Sequence, residues 1–157
     1  MKDIIYKQSI KINPGQSIED IAYWSADSKY LIIGDNALMI DLSKGETLYS
    51  QDQSFIIRPS IDFGSIFYCD KDYNCFIKNI NTKETKEITK NISDAIWIDA
   101  NRLVFIVGKR IYLYRLNEAK LELISTEEAN YKLVGSSKLT EKIIIIKNNK
   151  LVNIQFK

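Results

Sequence analysis

One pattern recurs four times along this chain, at a period near 38 residues. In each copy an apolar residue ends a strand-like run, at Leu42, Ile80, Leu116 and Ile154. The steps are 80−42 = 38, 116−80 = 36 and 154−116 = 38. A second apolar run keeps the same spacing, at residues 30–33, 66–69, 103–107 and 143–146. These runs are β-branched or aromatic and too short for helices, so the sequence predicts four copies of one small β unit.

Further extended segments complete each unit as four short strands. First strands are predicted at residues 21–24, 55–58, 95–98 and 131–134, and fourth strands at 47–50, 85–89 and 121–125. Repeats of roughly 40 residues with four strands each are typical of β-propeller blades. A β-sandwich can space its strands in this way, but its fold requires neither a repeated unit nor a strand outside the repeats.

In this scheme the C-terminal unit lacks one strand, and the N-terminus supplies one strand more than the first unit needs. Unit four reaches Lys157 with three strands, and residues 2–12 precede unit one. Pairing them would cover an exposed sheet edge. We therefore predict an all-β, four-bladed β-propeller with blades of about 38 residues, closed by the N-terminal strand joining the last blade. Its single domain spans 1–157, with blades at 17–50, 51–89, 90–126 and 127–157 plus 2–12.

The composition predicts a soluble cytoplasmic protein. The chain is 45% hydrophobic, has no long uninterrupted apolar stretch, and lacks the apolar core and cleavage site of a secretory signal. We therefore expect no membrane association. In the cytoplasm Cys69 and Cys75 are expected to stay reduced as small buried hydrophobes, whereas an oxidising compartment would allow a disulfide.

The residue inventory excludes several kinds of chemistry. The chain has no histidine, which removes the commonest general base and the imidazole ligands of catalytic zinc. Neither glycine-rich phosphate-binding motif occurs. With 22 basic and 20 acidic residues and no dense basic run, nucleic-acid binding is not indicated. We expect no catalytic residue and no cofactor.

One acidic segment resembles the start of a calcium-binding loop. Asp70, Asp72 and Asn74 alternate as the first ligands of an EF-hand loop do. The later glycine and glutamate of that loop are replaced by Cys75 and Asn81. We therefore expect no metal site, and a polar β-turn at this position.

Two segments resemble WD40-type propellers. Residues 24–34 read W-S-A-D-S-K-Y-L-I-I-G and residues 39–46 read M-I-D-L-S-K-G-E, similar to the S-P-D-G-K-Y-L … D-L-x-T-G-E run of those proteins. Residues 97–104, W-I-D-A-N-R-L-V, repeat part of it. The Gly-His and Trp-Asp pairs are missing, so the resemblance extends to the blade and not to the WD40 family proper. It implies a rigid platform that binds other macromolecules.

Propeller topology predicts one face where charged loops collect. The hairpins between second and third strands and the connections between blades open on it. Blades one and two contribute the predicted partner-binding residues Asp35, Asp52, Asp70, Asp72 and Tyr73. Blades three and four contribute Lys109, Arg110, Lys147 and Lys150, partly offset by Glu127 and Glu128. A face that is acidic on one half and basic on the other would orient a charged protein partner. The alternative is that these loops are ordinary solvated turns without a binding role.

These features predict a monomeric, non-catalytic, protein-binding bacterial propeller. In its small size and its Ile, Lys and Asn usage the chain resembles the cytosolic immunity proteins of contact-dependent growth inhibition and other polymorphic toxin systems. That resemblance implies a toxin partner, such as a nuclease, whose active site is occluded. The alternatives are a carbohydrate-binding or carboxylate-dependent hydrolytic propeller using Trp24 and Trp97, or a general scaffold.

Overall fold

The computed structural model describes residues 22–24, 30–33, 38–42, 44, 46–49 and 56–155. These residues form fifteen strands in four antiparallel sheets. Within the same ranges, no helix is long and apolar enough to cross a membrane. The chain divides into two compact units, Met1–Phe55 and Ile56–Lys157.

The first unit contains one four-stranded meander, which we name blade one. Its strands are β1 (Ala22–Trp24), β2 (Tyr30–Ile33), β3 (Leu38–Asp41) and β4 (Glu46–Tyr49), paired in chain order. Ile33 and Ile40 are buried. The carboxylate of Asp41 accepts the backbone N–H of Lys44 at 3.3 Å, which stabilises the turn after β3.

The second unit contains three further meanders, which we name blades two, three and four. Blade two has β5 (Ile56–Pro59), β6 (Ser65–Cys69), β7 (Asn74–Asn79) and β8 (Thr85–Lys90). Blade three has β9 (Ile92–Trp97), β10 (Arg102–Val107), β11 (Arg110–Arg115) and β12 (Lys120–Leu123). Blade four has β13 (Tyr131–Ser137), β14 (Lys142–Lys147) and β15 (Lys150–Gln155). The predicted strand order is confirmed in these blades.

The first strands of blades two, three and four lie side by side. Trp97 Nε1 on β9 donates to the carbonyl of Arg58 on β5 at 2.8 Å. Ser136 Oγ on β13 donates to the carbonyl of Trp97 at 2.6 Å. Both pairs are 39 residues apart, so consecutive blades touch at equivalent positions. Trp97 is buried, so it belongs to the core and is not available to a ligand in a channel.

Blade three is buried on both faces. Along β10, Leu103 and Phe105 pack against blade two, while Val104 and Ile106 pack against blade four. Successive side chains of a strand point to opposite faces, so a strand buried on both sides requires a continuous apolar run. This explains why residues 103–107 contain no polar residue.

The structure corrects two details of the sequence prediction. The first strand of blade three begins at Ile92 and not at residue 95, because a register shift beside Val107 allows Ile92 to pair with it. Cys69 and Cys75 are cross-strand neighbours with Cα atoms 4.1 Å apart, and they form a disulfide. The expectation of two reduced thiols is therefore wrong in this structure.

Closure of the ring remains a prediction. The strand expected at residues 2–12 lies outside the described residues, as do Asp35 and Asp52. β15 pairs with β14 and is the last strand of blade four among the described residues.

Candidate functional site

Three hairpins between second and third strands contact the connections between blades. The backbone N–H of Asn91 donates to the carbonyl of Tyr73 at 3.0 Å. Ala129 donates in the same way to Lys109 at 3.1 Å. The hairpin of blade four reaches the connection between blades three and four through Asn148, which donates to the carbonyl of Asn130 at 3.0 Å. These loops therefore lie together, as propeller topology predicts, and we name this end of the second unit the hairpin face.

Tyr73 stands at the tip of the blade-two hairpin. Its side chain is 54% exposed and its backbone has φ = 62°. The loop of residues 71–73 is closed by hydrogen bonds between Asp70 and Asn74 and between Tyr73 and Asp70. Glycine usually occupies the last position of a three-residue hairpin loop, because that position is left-handed. Eight non-glycine residues have positive φ among the described residues, so the exposed aromatic ring, and not the backbone conformation, distinguishes Tyr73.

Asp70 fixes the shape of this hairpin. Its Oδ1 accepts the backbone N–H groups of Asp72 and Asn74, both at 2.9 Å, and its Oδ2 accepts Asn74 Nδ2 at 3.1 Å. Burial raises the pKa of Asp70, but the hydrogen bonds from Asn74 and Asp72 outweigh it and hold the pKa below its usual value. Asp70 is thus an ionised, half-buried organiser of the loop, whereas Asp72 is exposed. The Asp-x-Asp-x-Asn segment forms the polar turn that the sequence predicts.

Across residues 56–155 and the described parts of blade one, no three His, Cys, Asp or Glu side chains are grouped so that they could hold a metal ion.

The basic half of the hairpin face is partly offset by Glu127 and Glu128, as the sequence predicts. Arg110 Nε donates to Glu128 at 3.0 Å. Lys147 is paired with Glu127, and that hydrogen bond raises the pKa of Lys147. Two of the four predicted cations are therefore neutralised by the connection between blades three and four. The structure adds which cation each of the two glutamates binds.

The opposite end of the second unit holds groups that the sequence did not single out. Arg102 Nε donates to Asp99 Oδ2 at 2.8 Å, and its guanidinium also binds Glu141 of blade four. Between blades two and three, a cavity of about 520 Å³ is lined by Tyr114 and several polar side chains. A comparison of the repeats indicates this cavity, because the first residue of the second strand is the short Ser65 in blade two and the long Arg102 in blade three.

Comparison with known proteins identifies the fold and no family. No protein-family model and no curated protein sequence matches the chain. The C-terminal WD40 domain of Sif2 is similar with a TM-score of 0.65 and 15% identity, over 86% of this chain and 42% of that one. The tricorn protease gives 0.64 and 12%, over 80% and 15%.

A third similar structure is an auxiliary nutrient binding protein from Bacteroides thetaiotaomicron. Its TM-score is 0.59 at 15% identity, over 87% of this chain and 38% of that one. The chain thus spans 42% or less of the length of each of these three proteins. At such low identity the likeness shows an all-β, propeller-type fold, in agreement with the antiparallel meanders.

Proposed function

We propose that this chain is a non-catalytic, protein-binding propeller that docks a partner on the hairpin face of blade two. The observation that carries the proposal is Tyr73, an aromatic residue that is 54% exposed at the tip of a hairpin. Tyrosine is enriched among the residues that dominate binding energy at interfaces.

The surrounding hairpin holds Tyr73 in place before binding. The Cys69–Cys75 disulfide closes the strands directly beneath the loop, and Asp70 binds two of the loop's backbone N–H groups. A loop already fixed in its bound shape loses little conformational entropy on association. Exposed Asp72 adds a negative charge beside the ring. The complementary partner surface offers an aromatic-sized pocket bordered by cations.

A narrower form of this proposal is a toxin-immunity function. In it the carboxylates of Asp35, Asp52, Asp70 and Asp72 occupy the site where a toxin, such as a nuclease, binds substrate phosphate. The support is the resemblance in size and composition, together with the acidic hairpin. Simultaneous replacement of all four aspartates by asparagine keeps a hydrogen-bond acceptor in the Asp70 turn and removes the charges. Binding then weakens by about 2–5 kcal/mol if the carboxylates are buried against cations.

The test compares capture of partners from native cells by three forms of the chain. The wild type and Ile61→Ala retain the partner, and Tyr73→Gly loses it. Ile61 is 62% exposed at the opposite end of blade two, so its variant controls for loss of surface apolar area. With the partner purified, Tyr73→Gly is expected to weaken binding by about 2 kcal/mol or more. Equal retention by Tyr73→Gly would remove the proposed site.

The immunity form requires a second measurement. The captured protein should have an activity toxic to cells, and adding the chain at equimolar concentration should abolish that activity. A partner that keeps full activity in the complex contradicts occlusion while leaving partner binding intact.

We also propose the cytoplasm as the site of action, and the Cys69–Cys75 disulfide provides the test of this location. Disulfides persist mainly in oxidising compartments. Alkylating the thiols in intact cells, before any reduction, decides the matter. Modified Cys69 and Cys75 support a cytoplasmic protein, whereas protected cysteines assign it to an oxidising compartment.

A further inference from the structure

Blade four differs from blades two and three at its outer edge. β15 pairs with β14 on one side, and no described strand pairs with it on the other. In blades two and three the equivalent third strands, β7 and β11, are followed by the fourth strands β8 and β12. An edge without a neighbour presents a row of backbone donors and acceptors that can pair with a further strand. β15 is therefore a candidate docking site for an extended segment.

The side chains of β15 are also more exposed than those of its counterpart in blade three. Leu151 is 70% exposed, whereas Ile111, at the equivalent position of β11, is fully buried. Val152 and Ile154 pack against the apolar cluster shared by blades three and four, but they are only half-buried. A strand placed beside β15 would cover more of this apolar surface.

The fourth strand of blade three indicates what kind of segment fits. In β12, Leu121 lies opposite Tyr114 and Leu123 lies opposite Tyr112, and charged residues alternate with the two leucines. The positions of these tyrosines correspond to Ile154 and Val152 of β15. Successive side chains of a strand point to opposite faces. A segment that alternates apolar and polar residues would therefore pair with β15 as β12 pairs with β11.

Charge restricts the segment further. Residues 142–155 contain Lys142, Lys147 and Lys150 and no aspartate or glutamate. Lys147 is paired with Glu127, whereas Lys142 and Lys150 have no ion pair with any described residue. Lys150 begins β15, and Lys142 lies opposite Gln155 at its other end. Cations thus stand at both ends of the edge, and the complementary segment is acidic.

The same charges disfavour two other occupants. A second copy of the chain that paired through its own β15 would collect four unpaired lysines in one sheet. Residues 2–12, the predicted closing strand, carry three lysines and one aspartate and would add to the positive charge. Like charges on neighbouring strands are destabilising. An acidic segment from another protein matches the edge better than either.

We propose that the outer edge of β15 binds an extended acidic segment of a partner protein, which adds antiparallel to β15 as the fourth strand of blade four. Apolar side chains of the segment cover Val152 and Ile154, and its carboxylates pair with the lysines at the two ends of the edge. This surface is separate from the blade-two hairpin, where the exposed Asp72 favours a cationic partner.

The first experiment measures binding of labelled peptides to the purified chain by fluorescence anisotropy. The probe is a short peptide that alternates valine and glutamate. One control replaces each glutamate with lysine, and a second keeps the sequence but is N-methylated at alternate backbone nitrogens. The probe binds, and both controls bind at least about tenfold more weakly, since they lose the charge pairing or the backbone hydrogen bonds. Failure of the probe to bind overturns the proposal, as does equal binding of either control.

The second experiment assigns that binding to the edge by reversing its charge. The double variant Lys142→Glu/Lys150→Glu is expected to bind the lysine peptide more tightly than the glutamate peptide. Lys132→Glu changes an exposed lysine on β13, at the far side of the same sheet, and keeps the wild-type preference. An unchanged preference in the double variant overturns the assignment.

Hydrogen exchange supplies an independent measurement of the same edge. The amides of β15 that point away from β14 should exchange rapidly in the chain alone and slowly with the glutamate peptide, while those of β12 should not change. Slow exchange of every β15 amide without peptide would show that the edge is already occupied, by this chain or by a second copy, and would overturn the proposal.

Discussion

Blade three meets its two neighbours through interfaces of different character. Against blade two, the buried residues include Phe67, Trp97, Phe105 and Tyr114 together with the disulfide. Against blade four, the buried residues are all isoleucine, leucine or valine. The aromatic interface contains the cavity of about 520 Å³ and the hydroxyl of Tyr114, which has no hydrogen-bond partner among the described residues. Repetition thus reproduces the sheets without reproducing how they pack.

One substitution between equivalent positions explains part of this difference. The first residue of the second strand is Ser65 in blade two and Arg102 in blade three. Arg102 reaches across to Glu141 of blade four and is held by Asp99. The short Ser65 side chain leaves the corresponding space open, and the cavity lies there. A candidate site therefore arises where one blade departs from the packing of the next.

The largest expected effect tests whether the aromatic interface dominates stability. Phe105 is fully buried between blades two and three and stacks on Tyr112 with ring centres 5.8 Å apart. Phe105→Ala is expected to lower the free energy of unfolding by about 3–5 kcal/mol, because it removes a large apolar side chain and leaves a cavity. Urea denaturation measures this change. Leu113→Ala on the opposite face should cost less, and the reverse order would contradict the comparison.

The disulfide provides the next test, because it cross-links only the blade-two side. Reduction of Cys69–Cys75 is expected to lower the free energy of unfolding by about 2 kcal/mol, since a short closed loop regains entropy when unfolded. Denaturation with and without dithiothreitol measures this. The double variant Cys69→Ala/Cys75→Ala should not respond to the reductant. Hydrogen exchange should accelerate in β6 and β7 and not in β14; a uniform acceleration would argue against local stabilisation.

The repeat made much of this fold predictable. Strand order followed from the apolar period, and Leu42, Ile80 and Leu116 each directly follow the third strand of their blade. Ile154 lies inside β15 instead, one residue before that strand ends at Gln155. Tyr73 could be placed at an exposed tip from local turn chemistry alone. The contact of Arg102 with Glu141 and the cavity between blades two and three could not, because they depend on residues from different blades meeting in space.

Removing Arg102 tests the edge between blades three and four. Arg102→Met is expected to lower the free energy of unfolding at pH 7 by less than loss of the disulfide does, since Glu141 is 42% exposed and solvent weakens the pair. The hydrogen bond from Arg102 lowers the pKa of Glu141. Burial raises the pKa of Asp99, but bonds from Asn101 and Arg102 outweigh it and lower that pKa as well.

The sign of the pH dependence follows from these lowered pKa values. The stabilisation is present above the ordinary carboxyl range near pH 4 and is lost as pH falls through the folded-state values. The wild type should therefore lose more stability than Arg102→Met between pH 7 and pH 3. Unfolding curves across that range measure the difference in the free energy of unfolding between the wild type and Arg102→Met. A difference that does not change with pH would show that the ion pairs of Arg102 do not contribute to the pH dependence.

The smallest expected effect comes from two tyrosines, one at each interface. Tyr114 Oη has no partner, whereas Tyr131 Oη donates to the carbonyl of Glu127 at 2.9 Å. Removing an unsatisfied buried hydroxyl relieves a desolvation cost, so Tyr114→Phe should leave the free energy of unfolding unchanged or raise it by up to about 1 kcal/mol. Tyr131→Phe removes a made hydrogen bond and should lower it by about 0.5 kcal/mol. Opposite signs would confirm that the aromatic interface retains a buried polar group that does not stabilise the fold. Destabilisation by Tyr114→Phe would show that the hydroxyl already supports the fold.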